Sequence, residues 1–412
     1  MTRRSNRFAL CFVAATVTGL TATMVVHAQQ PAVPADADGF LERARALHRE
    51  VPLIDGHNDY PWALRQDGGG DLRKLDISQS QPSIMTDVPR LRAGGVGGQF
   101  WSVYVPADDP TPVVTTLEQV DSVHRMIREY PNTFALARTA DDIERVFLTG
   151  RIASLIGMEG GHSIDSSLGA LRMFHQLGVR YMTLTHGRNT PWADSATDTP
   201  ASGGLSPFGE QVVQEMNRLG MLVDLSHTSP DTMEDALRIT AAPVIFSHSS
   251  ARGVTDVPRN VPDAILKRLP ANGGVVMVTF VPRFVSGAVA AHDSARDAER
   301  ERLRQQNPED AAEVEAGLTR WREANPLPRA TLSQVADHID HIRTIAGIDH
   351  IGLGGDFDGI TTVPVGLEDV STYPALTAEL LRRGYRDEEV QKILGLNLLR
   401  VMRNAERVAN VR

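Results

Sequence analysis

Seven side chains able to bind a metal or move a proton stand where short apolar runs end: His57, Asp59, Glu159, His186, His227, His248 and Asp356. The first pair sets the pattern. Val51-Pro-Leu-Ile-Asp-Gly-His-Asn-Asp59 is an apolar run that stops at polar residues, with His57 and Asp59 two apart. In an extended strand, residues i and i+2 point to the same face. If the strand persists to Asp59, one imidazole and one carboxylate leave its end together. That is half of a metal site, and a nitrogen and oxygen donor set suits Zn²⁺. By itself the pair also fits a structural, hydrogen-bonded histidine, so the rest of the chain must supply the other half.

The elements that would carry these groups alternate. Strands are expected at Val96–Tyr104, Arg151–Met158, Val179–Thr185, Met221–Leu225, Pro243–Phe246, Gly274–Phe280 and His350–Gly354, after the first at Val51. Each is short and apolar, as strands buried on both faces are. Helical spacing falls between them, at Leu117–Tyr130, Leu168–Leu177, Gly209–Leu219 and Asp231–Ile239, and again at Pro374–Arg383 and Asp387–Arg403. Eight strand-helix units predict an α/β fold of the (β/α)₈ TIM-barrel type. The stretch Ala290–Pro328, dense in Arg, Glu and Asp, breaks the rhythm and reads as a charged helical insertion between strands seven and eight. Its composition fits a solvated helical hairpin better than a substrate lid.

In such a barrel the active site lies at the C-terminal ends of the strands. The seven groups would therefore meet at one mouth, although 299 residues separate the first from the last. They are more than one zinc needs, since a catalytic zinc takes three protein ligands and a water. Two metals fit better: His57 and Asp59 on one, His227 and His248 on the other, Glu159 bridging. Such a pair can hold a hydroxide and polarise a carbonyl. His186 and Asp356 are left for proton transfer or oxyanion stabilisation. Arg259, in the loop after the sixth strand, offers a guanidinium for a substrate carboxylate, though a surface pairing would explain it equally well. The three lysines of the chain, Lys74, Lys267 and Lys392, sit at no expected strand end, so a carbamylated lysine bridge is not expected.

Composition bounds the rest. The chain has 412 residues, 42% hydrophobic and 23% charged, with a net charge of -9. That charge argues against nucleic acid as a partner, because phosphate binding needs a basic surface. Arg3, Arg4 and Arg7 precede an apolar stretch from Phe8 to Val26 and a small-residue cleavage pattern at Val26-His-Ala28. Residues 1–28 read as a signal peptide, with a periplasmic or secreted location and no membrane attachment once it is removed. A retained membrane anchor is the competing reading. Residues 29–45 read as a flexible leader and 46–405 as the barrel, although Gly39–Glu50 has helical spacing. The one cysteine, Cys11, lies in the signal, so the mature chain has no disulfide and no thiolate ligand.

Longer motifs surround the seven groups: Asp55-Gly-His-Asn-Asp59, Glu159-Gly-Gly-His-Ser-Ile-Asp-Ser-Ser167, Leu184-Thr-His186, Asn189-Thr-Pro-Trp-Ala-Asp194, Val244-Ile-Phe-Ser-His-Ser-Ser250, Arg259-Asn-Val-Pro262 and Gly355-Asp-Phe-Asp-Gly359. In these the chain resembles the membrane (renal) dipeptidase family of zinc peptidases, from about Val51 to Arg403. The resemblance implies an amidohydrolase-type barrel with two zinc ions that hydrolyses dipeptides, including some with a C-terminal D-residue, and in some members the β-lactam of carbapenems. It implies that His57 and Asp59 bind one zinc, His227 and His248 the other, and that Glu159 bridges them. It assigns His186 to the substrate and the tetrahedral intermediate, Asp356 to proton transfer at the amide, and Arg259 to the substrate's terminal carboxylate. The cysteines and lipid-anchor signal of the mammalian members have no counterpart here. A covalent dimer is therefore not carried over, and a non-covalent homodimer stays open. The competing readings are a two-metal lactam or lactone hydrolase on the same barrel and a non-catalytic zinc- or peptide-binding protein.

Overall fold

The computed structural model describes residues 39–410. The signal-peptide reading lies outside them. Nine strands form one sheet: β1 Leu53–Asn58, β2 Val96–Tyr104, β3 Phe134–Leu136, β4 Ile152–Glu159, β5 Val179–Thr183, β6 Leu222–Asp224, β7 Ile245–Phe246, β8 Val275–Val278 and β9 Ile351–Leu353. All pair in parallel, in the order β2-β1-β9-β8-β7-β6-β5-β4-β3, and β2 also pairs with β4. That pairing closes a barrel of eight strands, the fold expected from the sequence. β3 is the addition. It pairs with Ile152–Ser154 of β4, while β5 pairs with Ile156–Met158 further along the same strand.

The expected helices form with small shifts of their ends: Pro112–Glu129, Leu168–Gln176, Pro207–Leu219 and Pro230–Ile239. The last three are capped by Ser167, Ser206 and Ser229, whose side chains accept a backbone N–H of the first turn. Residues 40–45, read above as the end of a flexible leader, are instead the first turns of the helix Phe40–Glu50. Ala44, Leu47 and His48 on one face of that helix are buried. Between β8 and β9, residues 287–306 and 311–324 form two helices with a small apolar cluster of their own, Leu303, Val314 and Leu318. No helix of the described residues is long and apolar enough to cross a membrane.

Inside the barrel, Ile54, Phe100, Leu155, Tyr181, Ile245 and Met277 are fully buried. Two strand glycines leave room for this packing. A Cβ on Gly56 would meet Met277 Sδ, and one on Gly157 would overlap the ring and hydroxyl of Tyr181. Tyr181 can cross the barrel only because β4 carries no side chain there.

Two histidines away from the barrel mouth are buried in their neutral form. His48 joins the Gly94 carbonyl (2.9 Å) to Thr377 Oγ1 (2.8 Å). His338 accepts the Ala251 amide at 3.0 Å. Burial pushes both down to about 4 from 6.5, against the opposing pull of the Gly94 and Val285 carbonyls respectively. The unfolded chain therefore binds protons near pH 6 that the folded chain refuses, so their contribution is full above pH 6.5 and falls as pH drops towards 4. Denaturant unfolding from pH 7 to pH 5 should show a loss of about 1 kcal/mol per pH unit for each group. His338→Gln should flatten that slope.

Candidate metal centre and substrate cleft

Each of the seven groups reaches the C-terminal mouth of the barrel, but mostly from just beyond its strand. His57 is in β1 and Glu159 ends β4. Asp59 lies past the end of β1, immediately before the helix Tyr60–Gly68. His186, His227, His248 and Asp356 follow β5, β6, β7 and β9 by two or three residues. The condition set above for Asp59, that the strand persist, is not met. Its carboxylate still lies 3.3 Å from His57 Nε2, because the backbone turns there rather than running on. Two of the groups sit on left-handed backbone, His227 at φ 66° and Asp356 at φ 62°. Such a conformation is costly for a residue with a side chain and persists only where surroundings enforce it. At His227 the carbonyl is held by Ala196 N (2.7 Å), Thr185 Oγ1 (3.1 Å) and Ser195 Oγ (3.3 Å).

Glu159 is the hub. Its Oε1 lies 3.1 Å from His227 Nε2, 3.4 Å from His248 Nε2 and 3.7 Å from His186 Nε2. Its Oε2 lies 3.5 Å from His57 Nε2 and accepts Ser102 Oγ at 3.2 Å. One carboxylate thus turns one oxygen to each of the two ligand groups. Burial would raise its pKa, yet the imidazoles of His57, His227 and His248 hold it well below the usual carboxylate range. Asp356 goes the other way. Burial, with Asp59 and Glu159 nearby, pushes it well above the ordinary value despite His57 and Arg259.

The donor set fits metal ions. His57 Nε2 is buried and has no hydrogen-bond partner. Its other nitrogen, Nδ1, is 2.8 Å from Tyr181 Oη, which donates to the Gly56 carbonyl at 3.1 Å. With that hydroxyl proton committed, Nδ1–H donates to Tyr181 and Nε2 presents its lone pair to the centre. The same logic holds at His248. Ser247 Oγ donates to Asp224 Oδ2 (2.6 Å), so His248 Nδ1–H, 2.8 Å away, donates to Ser247. Its Nε2 then faces His227 Nε2 at 2.9 Å. Three sets place donor atoms within 4.8 Å of one another: His57, Asp59 and Asp356; His57, Glu159 and His248; Glu159, His186 and His227. His186 and Asp356, set aside above for proton and substrate work, are thus also within ligand distance.

Tyr181, Asp224 and Ser247 were missed in the sequence. The available signal was Asp224 at a strand end three residues before His227, and Ser247 beside His248 in a motif already singled out. Arg259 lies beside the centre rather than on the surface. It is buried, donates to the His248 carbonyl (3.2 Å) and Ser249 Oγ (3.3 Å), and is pushed down to about 10 by burial, against the attraction of Asp356, Glu159 and Asp224. Above the centre opens a cleft of about 890 Å³ whose wall includes Trp62, Tyr104, His186, Arg259 and Phe284. Val289, Asp293 and Arg296 also line it, so the helix 287–306 is one wall of the cleft and not only a solvated hairpin.

The model of the family described as Membrane dipeptidase (Peptidase family M19) matches residues 41–412. The chain belongs to the membrane dipeptidase family. It is 42% identical over 385 residues to Dipeptidase verJ of Clonostachys rogersoniana, covering 90% of this chain and 89% of that one. It is 44% identical over 375 residues to Dipeptidase 3 of Rattus norvegicus, covering 89% and 68%. Among solved structures, the probable dipeptidase PvdM from Pseudomonas aeruginosa superposes with a TM-score of 0.79 at 26% identity, covering 90% of this chain and 99% of that one. A metallo peptidase from Rhodobacter sphaeroides, liganded with a phosphinate mimic of the dipeptide L-Ala-D-Ala, superposes with a TM-score of 0.71 at 25% identity, covering 86% and 99%. Membership of this metallopeptidase family and the geometry agree that the centre is a metal site.

If Glu159 holds the two halves together, Glu159→Gln should cut the metal retained after dialysis by more than half, read by elemental analysis. Ser247→Ala should leave the metal bound but weaken it about tenfold in competition with a chelator, through loss of the His248 orientation. Unchanged affinity in both would show that the hub is elsewhere.

Proposed function

We propose that the chain is a zinc-dependent dipeptidase whose substrates include dipeptides with a C-terminal D-residue. The observation that carries the reading is Glu159, with one oxygen towards His57 and the other towards His227 and His248. On this reading His57 and Asp59 hold one zinc, His227 and His248 the second, and Glu159 is shared. Two zinc ions there would supply an activated water and polarise the scissile carbonyl.

The chain's own residues do the rest. Arg259 holds the substrate's terminal carboxylate, which a buried, oriented guanidinium does by paired charge-assisted hydrogen bonds. Its anchoring to the His248 carbonyl fixes the distance between that carboxylate and the metal ligands. His186 supports the developing oxyanion from the side of Glu159 Oε1. Its ring rests against Tyr104, centroids 4.9 Å apart, which fixes its plane. Asp356 takes the proton released by the attacking water and passes it to the leaving amine. The phosphinate mimic of L-Ala-D-Ala bound by the Rhodobacter relative supports a dipeptide with a D-residue at the second position.

The test is hydrolysis of matched L,L- and L,D-dipeptides by the isolated enzyme, after chelation, and after Zn²⁺ is added back. Activity should vanish on chelation and return with zinc. Arg259→Ala should lose ten- to a hundredfold more kcat/KM on a dipeptide than on the same dipeptide amidated at its C-terminus, in line with about 1.5–3 kcal/mol for a hydrogen bond to a charged group. Equal losses would favour a lactam or lactone substrate without a carboxylate. We also propose export to the periplasm or medium, on the signal-peptide pattern of residues 1–28. N-terminal sequencing of the mature protein should then begin at Gln29.

A further inference from the structure

Next to Arg259 the cleft carries a second guanidinium that the proposed reaction does not use. Arg283 lines the cleft and is exposed. It has no hydrogen bond or ion pair among the described residues. Its Cζ lies 5.2 Å from the centroid of the Phe284 ring. Arg259 Cζ lies 5.2 Å from the same centroid. The two guanidinium groups thus share one aromatic platform and are close enough to repel. The platform does not drift. Phe284 is buried, and its carbonyl accepts Asn260 Nδ2 at 2.8 Å. Asn260 follows Arg259 directly and also donates to the Thr255 carbonyl at 2.8 Å. One buried amide therefore ties the loop bearing Arg259 to the turn bearing Arg283.

Most of the other charges around the cleft are engaged. Asp293 pairs with Arg296 at 2.8 Å, and Arg296 also meets Asp297 at 3.1 Å. Asp358 accepts the Met85 amide on its Oδ1, while its Oδ2 is buried without a hydrogen-bond partner. Asp59, Glu159 and Asp356 belong to the metal centre. Arg283 is left as an uncompensated positive charge beside the site proposed for the terminal carboxylate. Two cations against one ring, Arg259 held by hydrogen bonds and Arg283 open to the cleft, suit two carboxylates on one residue.

We propose that Arg283 is a specificity-determining residue that selects dipeptides with an acidic C-terminal residue, aspartate or glutamate, by pairing with its side-chain carboxylate while Arg259 holds the main-chain one. The inference rests on the dipeptidase reading and names the substrate class of that same site. A guanidinium this open to water gives a modest preference, since exposed ion pairs are weak and screened by salt.

The test uses the zinc-loaded enzyme and pairs of substrates differing by one charge: Ala-Glu against Ala-Gln and Ala-Asp against Ala-Asn, with L- and D-residues at the second position. The ratio of kcat/KM within each pair is the readout, so any general loss in a variant cancels. The acid should be preferred about fivefold by the unaltered enzyme. The ratio should fall to about one in Arg283→Gln, recover in part in Arg283→Lys, and shrink as salt is raised. A ratio of one in the unaltered enzyme, or a preference that survives Arg283→Gln, overturns the inference and leaves the dipeptidase reading standing. A preference for Glu-Ala over Gln-Ala with none at the second position also overturns it. Absence of turnover on every pair overturns both readings.

Discussion

A buried carboxylate is the constraint on which the molecule turns. Glu159 sits at the end of β4, buried at the floor of the cleft, with four imidazoles within 3.7 Å of its oxygens. A lone carboxylate in such a place would take up a proton rather than remain charged. Here it is held charged, and the surrounding histidines are fixed so that their Nε2 atoms face it. Bringing those histidines in from four separate strands is what the closed barrel accomplishes. The supporting features follow from it: Gly157 clears the path for Tyr181, Tyr181 orients His57, and the Asp224–Ser247 pair orients His248.

Much of this was legible in the sequence, for a physical reason. Parallel strands buried on both faces read as short apolar runs, so a histidine or carboxylate at their ends stands out. His57, Glu159, His227, His248 and Asp356 could each be placed at a strand end that way, and the motifs around them resembled one family. What could not be read is also instructive. The strand Phe134–Leu136 is three residues long and has no alternation to detect. Tyr181, Asp224 and Ser247 are ordinary residue types for strands and their ends, and act only through neighbours distant in sequence. The left-handed backbone at His227 and Asp356 carries no composition signal at all, since neither is glycine. Asp59 was expected to point correctly because of a strand, and does so because of a turn.

The cleft shows a different division of labour. Its floor is rigid and charged, built by the barrel. Part of its wall comes from the helix 287–306, which with 311–324 keeps a small apolar cluster of its own. Charge composition alone assigned that segment to solvent. Its outer turns do carry many exposed ion pairs, such as Arg302 with Glu299 and Arg320 with Glu313. The turns from Val289 to Arg296 face the cleft, and Leu327 reaches it from the other end of the segment.

The pairing of β1 with β9 has a consequence for how the molecule comes into being. Asp55, near the start of the fold, aligns with Leu353, near its end, and the Asp55 carboxylate accepts the Gly355 amide at 2.8 Å. The seam of the barrel is thus sewn by the earliest and latest strands of the chain. No fragment ending before residue 350 can close it, and Asp356 reaches His57 only after it is shut. Of the three donor sets, the one made by His57, Asp59 and Asp356 is therefore complete only once the first and last strands have met.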